Sequence, residues 1–525
     1  MKGRRARREA ATAAIVSVGG SITCSRRAGR GSRVSGRRSR VAIVRAQDEA
    51  RTRQLARRLG VSFLYQTDSY RVRPEPGLIL DACAVPSRAP STRTGQTARA
   101  VPCAILSDVN ALARAIAFQR RPVATLIEAQ RTAGDTFALR TLVAGRMWVV
   151  ASPQLANEVL RGPPGLYRAG SANQRILPVL PGDTVLTLDG EEHRARRRLL
   201  APLFHGESLN AITPAIREIA AAEIARWPVN VPFAVLPRTR FMTLCIASRL
   251  LLGVEDPRLV REIERHLSNA LHPYAMLGGV ERLAWLGPAS PQAAGRRCRA
   301  AFARGLSQVS DARAPGPGGG PPDALDILST PAGTGPPLDD AQIAGELFAL
   351  LLAGHETTAT ALAWALELLA RDRGTAAALA AEAATQEQPL MDAVITEVLR
   401  LRPPLVDIVR EVTEPVELGG RRLASGTTLL IPPPVIHRHG YREPDIFIGD
   451  RFLEQRPDQR TWLPFGGGDR RCLGASLALL ELREILGHMV RRFTLEPADA
   501  QPERAGLHGT ALIPAHGARV MLRPR

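Results

Sequence analysis

The amino-acid sequence predicts a mainly α-helical protein with small β-sheets, and three stretches carry this prediction. Helical periodicity runs from residue 338 to about 371, and at about 1.5 Å per residue this helix is on the order of 50 Å long. A second apolar helix is predicted over 473–490. Residues 137–152 instead indicate two strands around the turn Ala144-Gly145. The chain has 525 residues, enough to bury a large core.

The N-terminal part differs from the rest of the chain in charge. The formal net charge is +20, and residues 1–104 contain 22 Lys and Arg against 6 Asp and Glu. The remainder is therefore close to neutral, which argues against a nucleic-acid-binding body. High charge and few aromatic residues cannot supply a packed core. We predict a basic, disordered extension over 1–104 and one folded domain over 105–525.

Several uses of this extension stay open, including a transit peptide, contact with nucleic acid or an anionic membrane, and an over-extended reading-frame start. The mildly apolar run at 10–18 is interrupted by Gly19-Gly20 and followed by arginines, which argues against an export signal. No apolar run of about 18 residues occurs, so no transmembrane anchor is expected. The six cysteines are irregularly spaced, which favours a reducing compartment, the cytoplasm.

The folded domain can be divided into elements in chain order. An amphipathic helix precedes the predicted hairpin, and a further helix follows it. The pattern weakens between about 272 and 291, and the Pro- and Gly-rich stretch 314–337 is predicted as a loop. The helices predicted before that loop cover residues 111–133, 153–161, 209–227, 240–253 and 257–267.

The long helix carries polar residues in its apolar middle. Asp339 or Asp340 is a plausible cap. Residues 353–358 read Ala-Gly-His-Glu-Thr-Thr. A glycine here costs roughly 1 kcal/mol, and a buried carboxylate costs more unless it is paired. The segment therefore indicates either a packing notch, with threonines bonded to helix carbonyls, or a functional site.

Residues 465–474 read Phe-Gly-Gly-Gly-Asp-Arg-Arg-Cys-Leu-Gly. The glycines around Cys472, among them Gly474, allow a tight turn and close approach to a flat cofactor. A helix predicted to start at the cysteine directs free N–H groups at the sulfur and favours a thiolate. Arg470 is suited to pairing with a carboxylate. By itself, such a cysteine is also typical of a buried structural residue.

Two further pairs of residues lie at helical spacing. His193 and Arg197 are four apart, so both side chains can reach the same anion from one helix face. Glu397 and Arg400 are three apart and can form an ion pair. Each pair alone is also typical of an ordinary solvated helix face.

Phe465, Gly468, Arg470, Cys472 and Gly474 together resemble the haem-binding loop of the cytochrome P-450 family. The helix–hairpin–helix opening, the segment 353–358 and the Glu-x-x-Arg element at 397–400 resemble further parts of that family, in the same order. The resemblance implies the cytochrome P-450 fold over about 105–525. It also implies heme b (iron protoporphyrin IX) with Cys472 as the axial thiolate.

The resemblance assigns roles to the remaining site residues. Ala353 and Gly354 would make room for O2, while Glu356 and Thr357 would relay protons. His355 is expected to be a packing or hydrogen-bond network residue and not a metal ligand. Asp407, in the stretch beside the pocket, is unexpected and could contact a polar substrate group or be solvent-facing or hydrogen-bonded. The haem propionates would be bound by His193, Arg197, Arg410 and Arg470, and the core behind the haem would be fixed by Glu397, Arg400 and Arg451.

The function implied is a haem-thiolate monooxygenase of the bacterial type. It would insert one atom of O2 into a lipophilic organic substrate, by hydroxylation or epoxidation. About fifty residues follow Cys472, too few for a reductase domain, so electrons would come from a separate ferredoxin or flavodoxin with its reductase. Arginines 194, 196, 198 and 471 could steer that donor. Two alternatives stay open: a peroxygenase or isomerase, and a non-catalytic haem sensor with a nucleic-acid- or membrane-binding tail.

Overall fold

The computed structural model describes most of the chain after residue 114. The described residues are 13–16, 42–45, 115–141, 145–270, 281–312, 323–330, 337–383, 385 and 387–525. The chain divides into two compact units, residues 1–100 and 101–525. In the first unit, β1 (Ala13–Val16) pairs antiparallel with β2 (Ala42–Arg45). The rest of the predicted extension lies outside the described residues, and its disorder stays a prediction.

Helices dominate the second unit, as predicted. In chain order they are α1 (Pro122–Ala133), α2 (Pro153–Arg161), α3 (Gly170–Ile176), α4 (Gly190–Leu200), α5 (Gly206–Ile224), α6 (Leu236–Leu252), α7 (Pro257–Ala270), α8 (Pro291–Ala312), α9 (Ala324–Ser329), α10 (Asp340–Arg371), α11 (Arg373–Glu382), α12 (Pro389–Leu401), α13 (Pro433–Ile436) and α14 (Ala475–Arg492). Residues 115–120 are also helical. In the described residues, no helix is long and apolar enough to cross a membrane.

The strands form small sheets around these helices. They are β3 (Thr136–Thr141), β4 (Gly145–Val150), β5 (Tyr167–Arg168), β6 (Phe233–Ala234), β7 (Ile408–Val412), β8 (Val416–Leu418), β9 (Arg421–Leu423), β10 (Thr428–Ile431), β11 (Phe493–Pro497), β12 (Ala505–His508), β13 (Ala511–Pro514) and β14 (Arg519–Pro524). The largest sheet has the order β3-β4-β10-β7-β5, in which β10 is parallel to β4. A three-stranded sheet has the order β11-β14-β6, and β8–β9 and β12–β13 are hairpins.

Helix α10 is the central element of the core. Asp339 caps it, because its side chain accepts from Gln342 N–H while the Gln342 side chain accepts from Asp339 N–H. Almost every residue from Ile343 to Ala370 is buried, and the indole of Trp364 is fully enclosed and donates to Leu512 O. The helix packs against α6, α12 and α14. Because α14 directly follows the loop that carries Cys472, this packing connects that loop to the apolar core.

Glu397 is the centre of a buried ion-pair cluster behind that loop. Arg400 donates to it through two nitrogens at 2.6 and 2.9 Å, and Arg451 Nε lies 3.1 Å from the same carboxylate. The Glu397 and Arg400 side chains are fully buried. Arg400 also donates to the carbonyls of His437, Pro444 and Ile446. The cluster therefore connects α12 to residues 437–451, which precede the loop 465–474.

Removing the carboxylate from this cluster is expected to be strongly destabilising. Glu397→Gln leaves the Arg400 guanidinium buried without its anion, and breaking a buried pair in this way costs about 3 kcal/mol or more. Thermal unfolding should show a lower midpoint. The control is Glu454→Gln at an exposed position, which should leave the midpoint unchanged. Equal midpoints for both variants would contradict a structural role for Glu397.

Candidate active site

A cavity of about 380 Å³ lies between α10 and the loop 465–474. Its wall is completed by α4, by the start of α14 and by residues 403–410. Most of the lining is apolar, contributed by leucines, alanines, prolines and valines. The cavity therefore brings together the motifs that the sequence spaces some 280 residues apart, from His193 to Cys472.

Cys472 lies deep in the protein, yet much of its surface is not covered by protein atoms, because it faces this cavity. Its N–H donates to Phe465 O at 2.8 Å, which closes the loop. Burial raises the pKa of the thiol, while the Gly474 N–H and the charge of Arg197 act in the opposite direction. Helix α14 begins at Ala475 rather than at the predicted cysteine, so Gly474 supplies the nearest free N–H.

Gly468 explains why the loop needs glycine. Its φ is +65°, and a Cβ placed there would lie 2.0 Å from the Leu160 carbonyl oxygen. The contact seats the loop on the end of α2. The aromatic ring of Phe465 packs edge-on against Trp462 at a centroid distance of 6.0 Å. Together these contacts fix the position of Cys472.

The four side chains that the sequence predicts to bind propionates all line the cavity: His193, Arg197, Arg410 and Arg470. Burial, followed by the charges of Arg470 and Arg197, lowers the pKa of His193 to about 4. Burial and the charge of Arg470 lower the pKa of Arg410 to about 10. Arg410 donates to Val409 O at 2.7 Å, and no carboxylate of a described residue pairs with it. A buried guanidinium of this kind fits an anionic ligand.

Arg470 differs from the other cations because it has an acidic partner in the protein. Its Nη2 lies 2.6 Å from Asp189 Oδ1, and it also donates to the carbonyls of Val185 and Leu188. Asp189 in turn accepts from the N–H groups at the start of α3. The sequence prediction missed Asp189, which precedes α4 by one residue and holds Arg470 in place.

Ala353 and Gly354 form an opening in the otherwise buried α10. Both are exposed, although they lie midway along the helix, because they border the cavity. A Cβ added to Gly354 would have no heavy atom within 4 Å. Thr357, one turn on, faces the same space and donates to Ala353 O at 2.9 Å. The buried His355 bonds to Leu351 O at 2.7 Å, so it is a packing residue.

Glu356 lines the cavity and is held by residues of two other elements. Arg240 of α6 donates to its Oε1, and His508 Nδ1 lies 3.6 Å from the same oxygen. That second distance is an ion-pair separation and too long for a direct hydrogen bond. Burial raises the pKa of Glu356, but the proximity of the His508 ring nitrogen together with the charge and hydrogen bond of Arg240 outweighs it and holds the pKa at about 2. The Glu356 carboxylate is therefore ionised at neutral pH.

Two features of the site differ from the sequence prediction or were missed by it. Arg196 was predicted to be a surface cation, but it is buried and pairs with Glu346 of α10, so it does not steer a partner.

The second feature, which the sequence prediction missed, is Glu481 of α14, which also lines the cavity. Burial raises its pKa to about 8, and its Oε2 has no hydrogen-bond partner. We find no role for Glu481 in the geometry.

Comparison with known proteins decides the family. The family model for cytochrome P450 matches residues 110–520. The chain belongs to the cytochrome P450 family. Cytochrome P450 135B1 of Mycobacterium tuberculosis (strain ATCC 25618 / H37Rv) is 34% identical over 421 residues, which cover 78% of this chain and 89% of the relative. Cytochrome P450 137 of the same strain is 32% identical over 425 residues, covering 79% and 88%. Neither name assigns a substrate.

A solved cytochrome P450 has the same fold. The retinoic acid-bound cyanobacterial CYP120A1 matches with a TM-score of 0.66 at 24% identity, covering 76% of this chain and 94% of that protein. The predicted fold class is confirmed. As a cytochrome P450, the chain is a haem-thiolate monooxygenase whose cofactor is haem bound by a cysteine.

The cavity of this cytochrome P450 fits that cofactor. One wall presents a thiol, a second presents a buried arginine that lacks an acidic partner, and the α10 wall lacks side chains where Gly354 lies. Cys472 is the described cavity residue that can supply a thiolate. His193, Arg197, Arg410 and Arg470 can supply the positive charge and donors for two carboxylates.

Proposed function

We propose that this cytochrome P450 inserts one atom of O2 into a lipophilic organic substrate, by hydroxylation or epoxidation. The observation that carries the proposal is that Cys472 and the opening at Ala353 and Gly354 face one apolar cavity. When bound, the haem supplies the reductive activation of O2. For hydroxylation the reaction balances as RH + O2 + 2e⁻ + 2H⁺ → ROH + H2O.

The protein residues are proposed to hold the cofactor and deliver protons. Cys472 binds iron, and the propionates are bound by His193, Arg197, Arg410 and Arg470. Glu356 accepts a proton as an ionised carboxylate, and the Thr357 hydroxyl, which borders the same cavity, passes it toward oxygen. Arg240 is a positioning residue, because its contact holds Glu356 against α6.

Isotope incorporation tests the reaction type. The full-length protein is supplied with NADPH, a surrogate ferredoxin and its reductase, and a panel of lipophilic compounds under ¹⁸O2. A monooxygenase gives a product that contains one ¹⁸O. Product formed with hydrogen peroxide, but not with reductase and O2, would instead establish a peroxygenase. A product isomeric with the substrate, without ¹⁸O, would establish an isomerase.

The proposed location of this cytochrome P450 is the cytoplasm.

A separate ferredoxin or flavodoxin with its reductase is the proposed electron source. Arg194 and Arg198 support this electron source, because both are exposed on α4, the helix that carries the buried His193. They share Glu191 as their acidic partner, which leaves a net positive charge. Positive surface charge steers an acidic protein toward its docking site.

Charge reversal on α4 is expected to slow reduction by this partner. The double variant Arg194→Glu/Arg198→Glu should reduce the second-order rate of electron transfer about tenfold at low salt and flatten its dependence on ionic strength. Stopped-flow reduction at several salt concentrations measures both. Arg422→Glu on β9 is the control and should change neither. Wild-type kinetics in the double variant would contradict docking at α4.

A further inference from the structure

Asp407 is a carboxylic acid in the apolar part of the cavity wall. It precedes β7 by one residue, between Val406 and Ile408, and it lines the cavity. The residue lies deep within the protein, yet its side chain is only partly covered by protein atoms. The uncovered part therefore faces the cavity and not bulk solvent.

Two acids that line the cavity, Asp407 and Glu481 of α14, lack a charged partner among the described residues, and of these Asp407 lies in the wall formed by residues 403–410. Glu356 is paired with Arg240, and Asp189 is paired with Arg470. No cationic side chain in the described residues pairs with Asp407. Burial raises the pKa of Asp407 to about 7, and only its own backbone N–H acts against this rise. The charged form of Asp407 thus lacks a counter-charge in the protein.

The surroundings make this carboxyl costly for folding. Pro403, Pro404, Leu405 and Ile408 form the adjacent wall. Burying a carboxyl without a partner disfavours the folded state, and burial of its charged form costs still more. The Val406 N–H bonds to Thr510 O, so the backbone contact of the Asp407 carboxyl is with its own N–H. This single local contact supplies no counter-charge, so it does not account for an acid at this position.

We propose that Asp407 binds the cationic group of the substrate, so that the substrate is a lipophilic molecule carrying a protonated or quaternary amine. An ionised carboxylate only accepts hydrogen bonds, and a cation is the partner that it prefers in a low-dielectric cavity. Anionic groups would instead be drawn to Arg410 and its neighbours, which the haem propionates occupy in the proposed function. This inference rests on that function and specifies its substrate class.

The placement of Asp407 also has a consequence for the reaction. An ammonium group held at Asp407 leaves the apolar part of the molecule in the cavity that also contains Cys472 and the opening at Gly354. A carbon of this apolar part is then expected to be the one that reacts.

Three probes of one chain length and different charge test the proposal. Dodecyltrimethylammonium is a permanent cation and cannot ligate iron, because its nitrogen has no lone pair; 1-dodecanol is neutral, and dodecanoate is an anion. Binding to the full-length holoprotein is measured by calorimetry and by the shift of the Soret band. The wild type should bind the ammonium at least tenfold more tightly than either other probe. Equal affinities, or preference for the anion, would overturn the proposal.

Two Asp→Asn variants separate charge recognition from structure. Asp407→Asn should weaken ammonium binding at least tenfold while changing dodecanol affinity less than threefold, and it should unfold at the same or a higher temperature than the wild type. Asp450→Asn, the same change at an exposed position, should alter none of these values. If Asp407→Asn weakened the binding of the ammonium and of dodecanol to the same extent, the residue would be shaping the cavity and the proposal would fail.

The failure of this inference can be distinguished from failure of the proposed function. A thiolate-type spectrum with carbon monoxide and ¹⁸O incorporation into neutral substrates, without selectivity for the cation, would refute the role of Asp407 alone. A normal cation preference that depends on Asp407, combined with absence of oxygenation, would refute the monooxygenase proposal and retain the binding site.

Discussion

The Cys472→Ser variant is expected to lose the strongly red-shifted Soret band of the reduced, carbon monoxide-bound protein, together with all reductase-driven oxygenation. Serine keeps nearly the same shape, but its hydroxyl does not ionise at neutral pH and is a harder ligand than sulfur. The Gly474 N–H and Arg197, which favour the thiolate, cannot generate an alkoxide. Absorption spectra of purified wild type and variant, reduced with and without carbon monoxide, measure the loss.

The chain provides matched controls for this substitution. Cys245 and Cys298 are also free cysteines, but neither lines the cavity. Burial raises the pKa of Cys245 to about 12, so it is a neutral thiol. Cys245→Ser and Cys298→Ser should therefore keep the wild-type spectrum. An unshifted band in the wild type, or a shifted band that survives in Cys472→Ser, would contradict ligation by Cys472.

The sequence predicted the parts of the site that depend on local spacing. The glycines around Cys472, the four-residue interval between His193 and Arg197 and the three-residue interval between Glu397 and Arg400 are short-range patterns. Each is set by the geometry of one loop or one helix turn. The cap at Asp339 and the extent of the long helix could be predicted for the same reason.

Contacts between distant elements could not be predicted in this way. Arg240 and Glu356 are 116 residues apart, and their pairing depends on how α6 crosses α10. Arg196 was assigned to the surface because it lies in an arginine-rich helix, yet one turn of that helix faces Glu346 in the core. Periodicity indicates which residues share a helix face, but not which helix covers that face.

The protein environment of Asp407 also required the three-dimensional structure. The sequence shows an acid within an apolar segment and leaves its partner open. The structure shows that 404–406 are bonded to residues 510–512, so the segment forms a wall and its side chains divide between core and cavity. That no cationic side chain of the described residues pairs with Asp407 follows only from these packed elements.

The second large effect concerns proton delivery. Glu356→Gln and Thr357→Ala are each expected to lower product formation by about 10² or more, within the range for loss of a general acid–base group. Consumption of NADPH and O2 should continue, because haem binding and electron supply do not use these side chains. When proton delivery is too slow, the reduced oxygen is released as hydrogen peroxide, by O2 + 2e⁻ + 2H⁺ → H2O2. Product, oxygen uptake and peroxide are measured together.

The ratio of product to oxygen consumed distinguishes this role from a structural one. Thr357→Ser restores a hydroxyl at the same position and should recover most of the coupling. Thr360→Val is the control: Thr360 is fully buried on the same helix, and its hydroxyl has no hydrogen-bond partner, so losing it should leave coupling unchanged. If Glu356→Gln lowered oxygen uptake and product in parallel, then Glu356 would act by pairing with Arg240 to hold α10 against α6, and proton delivery would need another route.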